Sequence, residues 1–316
     1  MFAFYTPKSF LDSIYSDPFT PLFNRATMSI HPPGSTFKML AAIAALDLGV
    51  INESYTITCG GGFTYGRFFK CHGNHGTVNV VTAIEKSCNS FFYRLIYKIG
   101  IDKWKEYASK FGFGHMTGID LTEEVPGLIP NENYYVKRYG EKWPKSIMAS
   151  LGIGQGEVSV TPLQLAMYAS LIANDGRTKT PHVVKGYVDD KTDKLVPFEF
   201  KDINVGVSQS ALDIVKKGMY LVVNGHGTAT HIKLPDIEIC GKTGTAQNPH
   251  GGDHAWFVGF APYENPKIAI AVLVENVGFG GTHAAPIAKN VIEAYMNSFK
   301  GEGNSFENEI ASVKTN

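Results

Sequence analysis

The apolar positions change their period along the chain. From Ser35 to Leu48, "STFKMLAAIAALDL", apolar side chains fill nearly every position, which predicts a helix over 35–48 that is buried all round. Helical patterning returns over 80–99, 101–111, 161–174, 208–223 and 284–298. Near the end the pattern becomes β-rich. "IEICGKTG", "HAWFVGFAP" and "KIAIAVLVEN" follow one another with short Gly, Pro and Asn punctuation, predicting three neighbouring antiparallel strands closed by the last helix. Helices first and a meander last place the chain in the α/β class in its α+β form, an antiparallel sheet packed against helices with an α-rich subregion. No fixed-period repeat and no linker divides it, and the segment after Lys300 reads as a polar tail.

Composition removes several classes of partner. With 44% apolar and 12% aromatic residues, 316 residues suffice for a deep core. Lys plus Arg and Asp plus Glu balance at 29 each, so no overall field draws in nucleic acid or an anionic lipid surface. The longest apolar runs, "MLAAIAAL" and "IAIAVLV", fall short of the ~18 residues that span a bilayer, and "MFAFYTPKSF" lacks a basic lead into an apolar stretch.

The chemistry starts at "HPPGSTFK". Pro32 and Pro33 impose an extended approach, Gly34 permits a sharp turn, and Ser35 opens the buried helix. Serine is a good N-cap, but a capping box asks for Glu or Gln three residues on, and the chain has Lys38 there, where the helix dipole repels a cation. Burial and the dipole both favour a neutral amine, which can take a proton from a hydroxyl on the same helix face. Ser-x-x-Lys alone arises about once by chance in a chain of this length. The chain also carries Ser87-x-Asn89 in "KSCNS" and Lys242-Thr243-Gly244 in "CGKTGTAQ", each once and in this order. The same trio, with Ser-Asp-Asn where this chain has Ser87-Cys88-Asn89, is the one associated with penicillin-binding proteins and class A β-lactamases. In it Ser87 would relay a proton between Lys38 and Lys242, and Asn89 would bond a substrate amide. Lys242 and Thr243 would hold a terminal carboxylate, and Gly244 would leave room for substrate along the strand edge. The backbone N–H groups of Ser35 and Thr245 would form an oxyanion hole.

With "HPPGSTFK", "FGFGHMTGIDLTEE", "GIGQGEVSVTPLQLA", "GKTGTAQ" and "AWFVGFAP", the chain from about residue 20 to 298 resembles the transpeptidase domain of a class B penicillin-binding protein. "CHGNHGTVNVVTAIEKSCNSFFY" makes it most like the elongation type, penicillin-binding protein 2. The resemblance implies the serine β-lactamase-like transpeptidase fold over 1–300, with 301–316 as the tail. It implies Ser35 attacking the penultimate D-Ala carbonyl of a peptidoglycan stem peptide, release of the terminal D-Ala, and transfer of the acyl group to an amine on a neighbouring strand. β-Lactams mimic the D-Ala-D-Ala end, no catalytic cofactor is needed, and elongation-machinery proteins are the expected partners. Family members carry an N-terminal membrane anchor and a pedestal domain, neither of which is in this sequence. A fragment working on the outer side of the cytoplasmic membrane is therefore expected. Two further readings share the trio: a D,D-carboxypeptidase or β-lactamase, and a non-enzymatic penicillin sensor. No Glu-x-x-Leu-Asn segment like that of class A β-lactamases is present.

Cys59, Cys71 and Cys88 lie within 30 residues of one another, with His72 and His75 between them. Cys59, Cys71, His75 and Cys88 suit a closed Cys3His structural zinc site, with His72 as substitute ligand. A disulfide between two of the cysteines, leaving one thiol over, is the alternative in an oxidising compartment. Some elongation-type relatives resemble this chain in carrying zinc beside the same motif. His115, His182, His226, His231, His250, His254 and His283 show no metal-protease spacing. Trp256 and Phe260 read as packing, and Tyr65, Arg67 and Phe68 as a loop that could line the cleft.

Overall fold

In the computed structural model the sheet is built around the strand His254–Ala261, every residue of which is buried. It pairs antiparallel with Cys240–Ala246 on one edge and Ile268–Val274 on the other, setting Trp256 opposite Gly244 and Val258 opposite Lys242. Neighbours on both edges explain its nearly uninterrupted apolar run. The helices Pro162–Ala173 and Gly280–Gly301 pack on this sheet, and Gln209–Asn224 packs on its Cys240–Ala246 edge. The predicted meander, its closing helix and the α+β arrangement are all present. Residues 6–301 are described: Gly301, the first residue of the expected tail 301–316, still belongs to the last helix, and the rest of that tail and the first five residues lie outside the described residues.

Local chemistry sets several boundaries. Thr161 and Gln164 form a reciprocal capping box that starts Pro162–Ala173, and Asn79 with Thr82 does the same for Val80–Glu85. Elsewhere the structure departs from the periodicity. The predicted helix 35–48 is a 3₁₀ turn, Gly34–Phe37, followed by the α-helix Lys38–Asp47. Gly34 sits at φ +56°, where a Cβ would meet the Thr245 carbonyl oxygen at 2.6 Å, so contact with the strand dictates the tighter turn. The predicted helix 80–99 is two helices, Val80–Glu85 and Asn89–Ile99, because Ser87 between them takes φ +54°. Four two-stranded ribbons, among them Ile57–Cys59 with Gly76–Val78 and Gly62–Tyr65 with Arg67–Lys70, are too short for periodicity to register.

The helix Lys38–Asp47 runs through the core, with Met39 to Ala45 fully buried. Burying each large apolar side chain there contributes about 1.5–3 kcal/mol, which anchors the turn that precedes it.

Candidate active site

The 3₁₀ turn eclipses side chains three residues apart, so Ser35 and Lys38 share one line. Ser35 is half-buried and lines the cleft, and Lys38 is fully buried beneath. The hydroxyl of Ser35 caps neither the turn nor the helix. Gly34 N–H donates to the Gly154 carbonyl at 2.8 Å, and a Cβ on Gly154, at φ +69°, would overlap the Gly34 carbonyl. Trp256 Nε1 donates to the Pro32 carbonyl at 3.0 Å and Thr36 Oγ1 to that of Pro33 at 2.8 Å. The packing role expected of Trp256 is present, with this hydrogen bond added.

Lys38 Nζ donates to the Ser87 carbonyl at 2.6 Å, to Ser87 Oγ at 3.0 Å and to Asn89 Oδ1 at 2.6 Å. The left-handed Ser87 turns its carbonyl and hydroxyl toward one amine. Burial lowers the Lys38 pKa to about 7, against partial support from Cys71 and Cys88. Asn89 therefore offers its oxygen to Lys38, while its Nδ2 leans on the Lys70 carbonyl at 3.5 Å.

Along Cys240–Ala246, Thr243 and Thr245 line the cleft, whereas Lys242 is fully buried with Nζ donating to the Thr243 carbonyl at 3.1 Å. Burial, then the charge of Lys38, holds the Lys242 amine well below its usual range. Gly244 corrects an expectation: a Cβ there would meet Thr36 Cγ2 at 2.9 Å and the Pro33 carbonyl at 3.0 Å. Its missing side chain makes room for the Ser35 turn, not for a ligand along the edge. Thr243 Oγ1 lies 2.6 Å from Thr228 Oγ1. Thr228 sits in a loop fixed by Glu85, whose Oε1 accepts from His226 N at 2.8 Å.

Beneath the Ser87 segment, the ligand atoms of Cys59, Cys71, His75 and Cys88 lie within 4.8 Å of one another. His75 Nδ1 stands 3.6 Å from Cys59 Sγ and 3.5 Å from Cys71 Sγ, and the thiols are free rather than paired as disulfides. The Cys88 thiol hydrogen-bonds Cys71 Sγ, pushing Cys71 strongly toward thiolate and Cys88 the other way. Burial lowers the His75 pKa, favouring neutral imidazole. Three buried sulfurs and one imidazole nitrogen converging on one point are a donor set that fits a tetrahedral ion. His72 lies outside this set of four: its Nε2 is 3.1 Å from the Lys86 carbonyl, it also hydrogen-bonds Cys71, and it lines the cleft.

The cleft, about 720 Å³, joins Ser35, Ser87, Asn89, Thr243 and Thr245. Arg67 and Phe68 line it as expected, whereas Tyr65 stacks on Tyr97 at 4.3 Å. Sequence reading missed Gln155, whose Nε2 donates to the Thr245 carbonyl at 2.8 Å and ties "GIGQG" to the strand. It also missed Thr228 and His231, two of the many residues of the cleft wall. Gln155 lies inside a quoted motif; Thr228 and His231 carry no local signal.

With this geometry in view, the profile described as "Penicillin binding protein transpeptidase domain" matches residues 3–293. The chain is 35% identical to peptidoglycan D,D-transpeptidase MrdA of Haemophilus influenzae over 93% of its own length and 50% of that protein. Its fold matches Pseudomonas aeruginosa PBP2 in complex with WCK 5153 at a TM-score of 0.80 and 35% identity, covering 92% of this chain and 64% of the other. The match to Helicobacter pylori PBP2 in its complex with MreC has a TM-score of 0.80 and 31% identity, covering 93% and 55%. The chain thus spans about half the length of the curated relative it matches. From its motifs, its fold and these matches, the chain belongs to the penicillin-binding protein transpeptidase domain family and within it is similar to penicillin-binding protein 2.

Proposed function

We propose that the domain is a peptidoglycan D,D-transpeptidase of the cell-elongation type, acting through an acyl-Ser35 intermediate. The observation that carries this reading is the buried Lys38 amine, held by Ser87 and Asn89 in line with the cleft-facing Ser35. Neutral Lys38 takes the Ser35 proton as Oγ attacks the penultimate D-Ala carbonyl carbon. The amide C–N bond then breaks, and the departing D-Ala amine receives a proton relayed through Ser87 Oγ. An acceptor amine next attacks the ester carbon, the C–Oγ bond breaks, and the amine's proton returns to Ser35. The Ser35 and Thr245 N–H groups serve the oxyanion. Thr243 with Thr228 receives the terminal carboxylate, Lys242 supports the Thr243 backbone from beneath as a neutral donor, and Gly244 lets the strand close on the Ser35 turn. β-Lactams acylate the same serine.

Cys59, Cys71, His75 and Cys88 hold a structural zinc that braces the loop presenting Ser87 and Asn89; it takes no part in the reaction. The transpeptidase unit occupies residues 1–300 and works outside the cytoplasmic membrane, where stem peptides are found. In the full-length protein an N-terminal anchor tethers it there. Elongation-machinery proteins are its partners, a reading supported by the likeness to the PBP2 that is complexed with MreC. Labelling with a fluorescent penicillin tests the reading. A persistent adduct is expected, lost in Ser35→Ala, with a cross-linked product when a D-Ala-D-Ala donor and an amine acceptor are supplied. Rapid release of the label with no cross-linked product would instead indicate a β-lactamase.

A further inference from the structure

The two N–H groups proposed for the oxyanion stand on different elements, Ser35 on the turn Gly34–Phe37 and Thr245 on the strand Cys240–Ala246, so tertiary contacts alone set their separation. That strand is an edge of its sheet, and in an antiparallel strand the N–H and C=O of one residue point the same way. The Thr245 carbonyl accepts from Gln155 Nε2 at 2.8 Å, outside the ladder to His254–Ala261. The N–H of the same residue therefore faces the open edge, where Gly34 packs. Gln155 grips this edge twice. Its Oε1 accepts from Gln247 N at 3.4 Å, so one primary amide takes the C=O of residue 245 and the N–H of residue 247, as a neighbouring strand would. The preceding residue holds the other element: the Gly154 carbonyl accepts from Gly34 N at 2.8 Å. Gly154 N and Gln155 N donate in turn to the Leu151 and Ser150 carbonyls, both at 2.9 Å. These bonds seat the dipeptide on the helix Ile147–Leu151, which packs on Asn89–Ile99. The Gln155 side chain is partly buried and lines the cleft.

We infer that Gln155 is a positioning residue of the acylation step: with Gly154 it sets the spacing between the Ser35 and Thr245 N–H groups, so that both meet the oxygen that becomes anionic. This assignment rests on the transpeptidase reading above. As Oγ bonds to the carbonyl carbon, the C=O π pair moves onto oxygen. It returns as the C–N bond breaks and the amine leaves with its relayed proton. Gln155 exchanges neither bonds nor protons. Its effect falls on the transition state, because oxyanion donors are aimed at where charge develops and gain less from the ground-state carbonyl. A misplacement of about 1 Å in such a site costs about 10²-fold.

The test compares two variants. Gln155→Met keeps the length of the side chain and removes both bonds, whereas Gln155→Glu keeps the acceptor for Gln247 N and sets a carboxylate oxygen against the Thr245 carbonyl. Penicillin acylation is resolved into the dissociation constant of the non-covalent complex and the acylation rate constant. The rate constant is expected to fall about tenfold in Gln155→Met and about 10²-fold in Gln155→Glu, with the dissociation constant held within about twofold. A boronic acid, whose tetrahedral adduct on Ser35 places an oxygen where the oxyanion forms, should lose affinity by the same factor as the rate constant. A general loosening of the fold would not give that correspondence. Unchanged rate constants in both variants overturn the assignment, as does a loss confined to the dissociation constant, or slowed acylation with boronate affinity unaltered. Absence of a penicillin adduct on Ser35 in the unaltered chain overturns the transpeptidase reading and this assignment with it.

Discussion

The strand wall, presenting Thr243 and Thr245, and the wall presenting Ser87 and Asn89 line one cleft and flank one buried amine, but unlike forces hold them. The strand wall is fixed by close approach of backbones: Gly34 against Thr245, Gly154 against Gly34, Gly244 against Thr36, with Gln155 bridging to the Thr245 carbonyl. The Ser87 wall leaves the regular helix at a left-handed serine and is braced from below by three cysteines and a histidine. A steric contact tolerates no added methyl but is indifferent to solution chemistry. A cluster of thiols and imidazole responds to metal, oxidant and pH.

Perturbations can break this contrast. The largest effect is expected where the walls meet: Lys38→Ala should slow penicillin acylation about 10²–10⁴-fold, read from the rate of labelling. In the unaltered chain that rate should fall about tenfold per pH unit below about 7, where Lys38 becomes protonated, and level off above it. The same shift has a stability sign. Folded Lys38 has the lower pKa, so between about 7 and the ordinary lysine value of 10.5 the unfolded chain binds more protons, and stability rises with pH through that window.

Next, on the strand wall, Gly154→Ala should destabilise the fold by about 2–4 kcal/mol and slow labelling, measured by urea unfolding beside the labelling rate. Unchanged stability would show that close approach is not what holds this wall. On the other wall, Cys88→Ala should abolish metal binding and reduce labelling about tenfold, and a chelator should reproduce that loss in the unaltered chain. If the chelator slows labelling no further in Cys88→Ala but still does so in Gly154→Ala, metal supports one wall alone. The smallest effect is expected from Trp256→Phe, which removes the hydrogen bond to Pro32 at a cost of about 1 kcal/mol in thermal unfolding.

Legibility followed range. The core helix, the three strands and Thr161's capping box announce themselves within a few residues, because burial and capping act at short spacing. The Ser-x-x-Lys, Ser-x-Asn and Lys-Thr-Gly motifs were readable as chemistry, and the structure brings Lys38, Ser87 and Asn89 into contact. The hairpin strands were not readable, since three or four residues are too few to show a period.

By itself the sequence determined which side chains are candidates for chemistry and the order in which they occur, and it supplied enough apolar surface to bury a lysine. Only the tertiary structure decided what that lysine touches. It also decided that Gly244 serves packing and that His75, rather than His72, converges with all three thiols. The reason is physical: a local pattern sets the identity and periodicity of groups, whereas a contact between residues 49 or more apart depends on where the whole core places both backbones.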